Sequence, residues 1–90
     1  MAIQIMSEPP PEPAEVAKRI HAAIEDAMET TALRVTVISP GHFEIDVVSP
    51  VFEGLRRVEQ QQRVYAAIQP LMAGDAAPVH AIDRMTTRTS

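Results

Sequence analysis

Few side chains in this sequence are equipped for metal or proton chemistry. There are three histidines, His21, His42 and His80, and no cysteine. A neutral imidazole can ligate a metal through one ring nitrogen or move a proton near neutral pH. Without thiolates, a disulfide framework is excluded, and so is a zinc or iron–sulfur site built on this chain's own sulfur. His80 stands in Val79-His80-Ala81-Ile82, and spacing alone makes it the end of a loop or a strand-edge residue. His42 precedes Phe43 at a strand start, and His21 sits on a helix outside any constellation. No nucleophile, base and orienting group recur at a revealing spacing, so covalent or acid–base catalysis is not indicated. Glu44 and Asp46 share one strand face, as acids on solvated faces commonly do. Asp83 lies three residues after His80, which in an extended strand turns it to the opposite face. Arg56, Arg57 and Arg63 make a small basic group, with Glu53 and Glu59 among them.

These residues need elements to hold them. Ser7 to Pro13 carries four prolines in seven residues, which precludes helix or central strand. Residues 1–12 are therefore expected to form a flexible Pro-rich arm, and residues 13–90 one domain. A first helix starts at Pro13, because proline is tolerated at the first helical position. Val16, Ile20, Ile24 and Met28 repeat every four residues as its apolar stripe. Leu33 to Ile38 alternates apolar and polar residues, and so does His42 to Ser49, with Phe43, Ile45 and Val47 on one face. Ser39-Pro40-Gly41 between them is a turn, which makes the pair an antiparallel hairpin. Val51 to Gly54 reads as one helical turn. A long helix is expected from about Leu55 to Ala73, with Leu55, Val58, Tyr65, Ile68 and Met72 near one face. Pro70 should kink it or end its regular part early, and Gly74 should cap it. Val79 to Thr86 is expected as the last strand, with Val79, Ala81 and Met85 on one face and His80 and Ile82 on the other.

The order helix, strand, strand, short helix, helix, strand predicts an α+β fold. A strand–helix–strand crossover brings its two strands in parallel. The sheet should thus be three-stranded and mixed, with helices on one face. The 90 residues suit one small domain, and with 46% apolar and 22% charged residues the composition is that of an ordinary globular protein. The net charge of −4 argues against general attraction to nucleic acid or an anionic membrane. No apolar run approaches the ~20 residues of a membrane span. The opening Met1 to Met6 has no basic stretch and no long apolar core, so the cytoplasm is the expected location.

His42-Phe43-Glu44-Ile45-Asp46-Val47-Val48-Ser49, then Phe52-Glu53-Gly54, Arg57-Val58, Val64-Tyr65 and Val79-His80-Ala81-Ile82, in this order and spacing, resemble the BolA family over roughly residues 14–87. Gln60-Gln61-Gln62, where most members carry Arg-His-Arg, looks more like the IbaG branch. The resemblance implies an αββααβ fold similar to type II KH domains. It implies a non-enzymatic adaptor that partners with a monothiol glutaredoxin in iron–sulfur cluster assembly or trafficking, through a shared 2Fe–2S cluster. The partner would bring a cysteine and bound glutathione, and this chain a histidine at the start of the last strand, which matches His80. The family's second ligand lies in the loop between the first two strands. Ser39-Pro40-Gly41 offers neither His nor Cys, and His42 is the closest imidazole. A thiol-free chain suits a cluster whose sulfur ligands come from elsewhere, and imidazole ligation raises a cluster's potential and lability. The long helix and the loop before His80 would form much of the partner surface.

The second reading is a stress-linked regulator that binds DNA through its KH-like surface, with Arg56, Arg57 and Arg63 as contacts. KH domains grip the nucleic-acid backbone with a GxxG loop. The glycines here are Gly41, Gly54 and Gly74, so that loop is missing.

Overall fold

The computed structural model describes residues 11–90. The first ten residues of the expected Pro-rich arm lie outside the described residues, and Pro11 and Glu12 have no regular secondary structure. Five main elements follow: α1 (Pro13–Ala27), β1 (Ala32–Ser39), β2 (His42–Val48), α2 (Arg57–Met72) and β3 (Ala81–Arg88), with a 3₁₀ turn at Pro50–Phe52 between β2 and α2. Strand β2 is central, antiparallel to β1 and parallel to β3. The expected mixed sheet is therefore observed. No helix among the described residues is long and apolar enough to cross a membrane.

Alternation builds the core. Phe43, Ile45 and Val47 are fully buried, while His42, Glu44 and Asp46 between them face outward. Helix α1 packs over β1, α2 over β3, and the two helices touch. The α1 stripe is as expected, with Val16, Ile20, Ile24 and Met28 buried against that sheet face. Phe52 from the 3₁₀ turn and Val79 from the last loop complete the core.

Helix α2 differs in part from the sequence expectation. Its buried residues are Val64 and Ile68, while Val58 and Tyr65 are exposed. The helix begins at Arg57, so Leu55 belongs to the preceding turn, where its N–H donates to the Phe52 carbonyl. Val58 and Tyr65 share a face about 100° from Val64, turned away from the sheet. Gln60 points inward instead: its Oε1 accepts from the Thr87 hydroxyl at 2.7 Å, and its Nε2 donates to the Leu55 carbonyl at 3.0 Å. Pro70 does not shorten the helix, which runs two residues past it to Met72. The carbonyl that loses its donor to the proline is that of Ala66, an exposed residue. The Val79 N–H returns to the Leu71 carbonyl at 3.1 Å and ties the loop to the helix end.

Strand β3 also departs from expectation. It starts at Ala81 rather than Val79 and contains a bulge. Phe43 pairs with Ile82, but the next residue, Glu44, pairs with Arg84, so Asp83 is the extra residue. Consequently Ile82 and Met85, three apart, both pack on the core, and Thr87 is buried beside them. Strict alternation had set Ile82 and Met85 on opposite faces.

Two small residues fix the ends of the central strand. At one end, Ser49 is fully buried; its Oγ accepts from the Val51 N–H at 3.1 Å and donates to the Glu29 carbonyl, while its own N–H donates to Arg88. At the other end, Pro40 and Gly41 form the hairpin turn. Gly41 is buried at φ 83°, a conformation that glycine adopts at little cost. Its carbonyl accepts from the N–H groups of both His80 (2.9 Å) and Ala81 (3.1 Å). A Cβ on Gly41 would lie 2.6 Å from His80 Nδ1.

Each end supports a test. Ser49→Ala removes both bonds of a fully buried hydroxyl, each of them half-buried at its partner, and should lower unfolding stability by about 1–3 kcal/mol in urea titration; a loss within error would show these bonds to be dispensable. Gly41→Ala should cost about 1–2 kcal/mol from backbone handedness and also displace the His80 ring, read as a change in His80 ring NMR shifts larger than that of His21.

Candidate functional site

The parallel pairing of β2 and β3 gathers the side chains that could do chemistry at one rim of the sheet. His42 opens β2 and pairs with Ala81, the first residue of β3; His80 immediately precedes Ala81. The two imidazoles approach edge to face, with centroids 6.5 Å apart and planes at 85°. Both are open to solvent: His80 is an exposed residue and His42 has 42% of its side chain exposed.

Different contacts orient the two rings. His80 lies over Gly41, with Nδ1 the ring atom nearest the place a Cβ on that residue would occupy. His42 is held through its own Nδ1, 3.0 Å from Asp83 Oδ1. Sequence reasoning assigned no role to Asp83. It reaches His42 because the β3 bulge frees it from the ladder, and no local sequence signal marks that bulge. The Nδ1 of His42 is thus engaged by a carboxylate, and the Nδ1 of His80 faces the glycine turn. Among the described residues no group of three or more His, Cys, Asp or Glu side chains could hold a metal ion by itself. His21 is occupied elsewhere, 3.3 Å from Glu25 one turn along α1.

A cleft of about 620 Å³ borders the rim, with His80, Gly41 and Pro40 on one side and the Asp75–Pro78 loop and the start of α1 on the other. Its walls are mostly proline, alanine and valine, and its charged groups are Glu12 and Asp75.

The three arginines lie at the α2 end of the molecule in different settings. Arg56 stands ahead of the helix as its N-cap residue; its N–H donates to Glu59 Oε1 at 2.9 Å and its Nε lies 3.5 Å from the same oxygen. Arg57 is exposed at the first helical position. Arg63 lines a small depression with Ala27, Met28, Ala66 and Ala67, between the two helices. The open sheet face carries both signs, with Arg34 opposite Asp46 and Arg84 opposite Glu44.

Comparison with known proteins bears on the fold and the family. A search of curated proteins finds no match. Among solved structures, BolA1 from Arabidopsis thaliana superposes with a TM-score of 0.71 at 22% identity, covering 81% of this chain and 89% of that one. The BolA domain of SufE1 from the same plant gives 0.72 at 22% identity, covering 82% and 91%. The solution structure of BolA1 from Mus musculus gives 0.67 at 26% identity, covering 99% and 75%. Residues 14–90 match the family model of BolA-like proteins, which takes in both rim histidines, the β3 bulge and the whole core, and the chain therefore belongs to the BolA-like family.

Proposed function

We propose that this chain is a non-enzymatic adaptor of the IbaG type that binds a monothiol glutaredoxin and takes part in iron–sulfur cluster assembly or trafficking. One observation carries the reading: two solvent-accessible imidazoles, one opening β2 and one just ahead of β3, stand 6.5 Å apart at one rim, in a chain without cysteine. The donor set suits a shared site. His80 and His42 offer neutral nitrogens that can ligate iron, and the sulfur ligands must come from the partner's cysteine and its bound glutathione. A 2Fe–2S cluster held this way supplies an iron pair with a raised reduction potential and greater lability than an all-thiolate cluster.

The chain's own part is to present and orient the donors. Gly41 seats the His80 ring, and the β2–β3 pairing brings His42 beside it. Exposed Val58 and Tyr65 on α2 add apolar surface for a partner. DNA binding through Arg56, Arg57 and Arg63 draws less support. Arg56 is tied to Glu59, and the formal charge of the chain is −4, whereas backbone binding rests on several unopposed cations.

Mixing the protein with a monothiol glutaredoxin, glutathione, iron and sulfide should give a heterodimer with visible absorption and circular dichroism distinct from those of the glutaredoxin alone. No complex and an unchanged spectrum reject the adaptor reading. His80→Ala should preserve the far-UV spectrum and speed cluster loss by about tenfold or more, the scale on which weaker perturbations of metal sites already act. His42→Ala should alter the visible spectrum as well. An identical spectrum removes the substituted histidine from the ligand set.

A further inference from the structure

We propose that Asp83 is a positioning residue that fixes which nitrogen of His42 is free to ligate a metal. The metal-binding part of this inference rests on the adaptor reading; the hydrogen-bond part does not.

The argument begins with the bulge. Regular pairing after Phe43–Ile82 would set Asp83 directly opposite Glu44, carboxylate facing carboxylate across the ladder. Like charges placed so are destabilising. The observed slip puts Arg84 opposite Glu44 instead and leaves Asp83 as the unpaired residue. Bulges re-aim side chains in this way. Here the re-aimed carboxylate comes within 3.0 Å of His42 Nδ1, although both side chains are substantially exposed and could have remained solvated.

An ionised carboxylate only accepts hydrogen bonds. The proton of the neutral ring must therefore sit on Nδ1, and the lone pair on Nε2. Free histidine favours the opposite tautomer, with the proton on Nε2, which would put the lone pair on Nδ1, the nitrogen that already faces Asp83. A carboxylate behind a metal-ligating histidine orients the ring and raises its basicity. Asp83 stands in that relation to His42. Among the described residues His80 has no such partner, and its ring packs over Gly41. The two rings are thus prepared by different means.

The test uses the full chain, labelled with ¹⁵N at histidine and free of partner, at a pH of about 8, above the ordinary imidazole range. Long-range ¹H–¹⁵N correlation should show His42 with its proton on Nδ1. In Asp83→Ala the proton should move mainly to Nε2, while His21 and His80 keep their wild-type patterns; Asp83→Asn, which keeps the shape without the charge, should fall between. A wild-type His42 protonated on Nε2, or a pattern unmoved by both substitutions, overturns the hydrogen-bond assignment. With glutaredoxin and cluster components, Asp83→Ala should lose its cluster about 10–100-fold faster than wild type. Equal rates overturn the positioning role. If the wild-type tautomer is as stated but no shared cluster forms, the adaptor reading falls and the hydrogen-bond assignment stands.

Discussion

The carbonyl oxygen of Gly41 accepts backbone hydrogen bonds from both His80 and Ala81, and the rim that carries the two histidines depends on that junction. It joins the hairpin turn to the first residues of a strand that arrives from the far side of α2. It also ties the start of β3 to the turn, since the donors are the residue just ahead of the strand and the strand's first residue. The same residue must lack a side chain twice over, because its φ of 83° disfavours one and because the imidazole occupies the space one would need. A backbone constraint thus becomes a side-chain placement, and two residues distant in sequence become neighbours.

Much of the fold was legible because its signals are local. The fourfold stripe of α1 and the alternation of Phe43, Ile45 and Val47 state their own buried faces, and Pro40-Gly41 states the turn. The parallel placement of β3 followed from the crossover rule. In α2 the expectation failed in part: Ile68 is buried and Leu55 and Met72 pack on the core as expected, but Val58 and Tyr65 are exposed and Val64 takes the buried place. Strict alternation in the last strand misassigned Ile82, because the choice between a regular strand and a bulge is made by what lies opposite, here Glu44.

The candidate site was legible in a different way. His42 and His80 were singled out through resemblance; spacing alone gave no reason to bring them together. Asp83 was passed over, since its partner is determined by tertiary register. Gln60 shows the same limit. In a run of three glutamines it looks like solvated surface, yet it joins α2 to Thr87 at the edge of the core. Residues whose role is a hydrogen bond across elements leave little trace in hydrophobic pattern, because polarity in sequence is compatible with both water and a buried partner.

The two irregularities in the sheet fall in its outer strands, near Ile38 in β1 and at Asp83 in β3, while the middle strand is uninterrupted. A three-stranded sheet leaves two borders with unsatisfied amide and carbonyl groups, a standing invitation to strands from other molecules. An extra residue in each border throws that row of groups out of step. Another copy laid alongside could match the donors and acceptors over the regular stretches 32–37 or 84–88 but would lose phase at the histidine end, so the same extra residue that aims a carboxylate at a histidine also shortens the border open to growth.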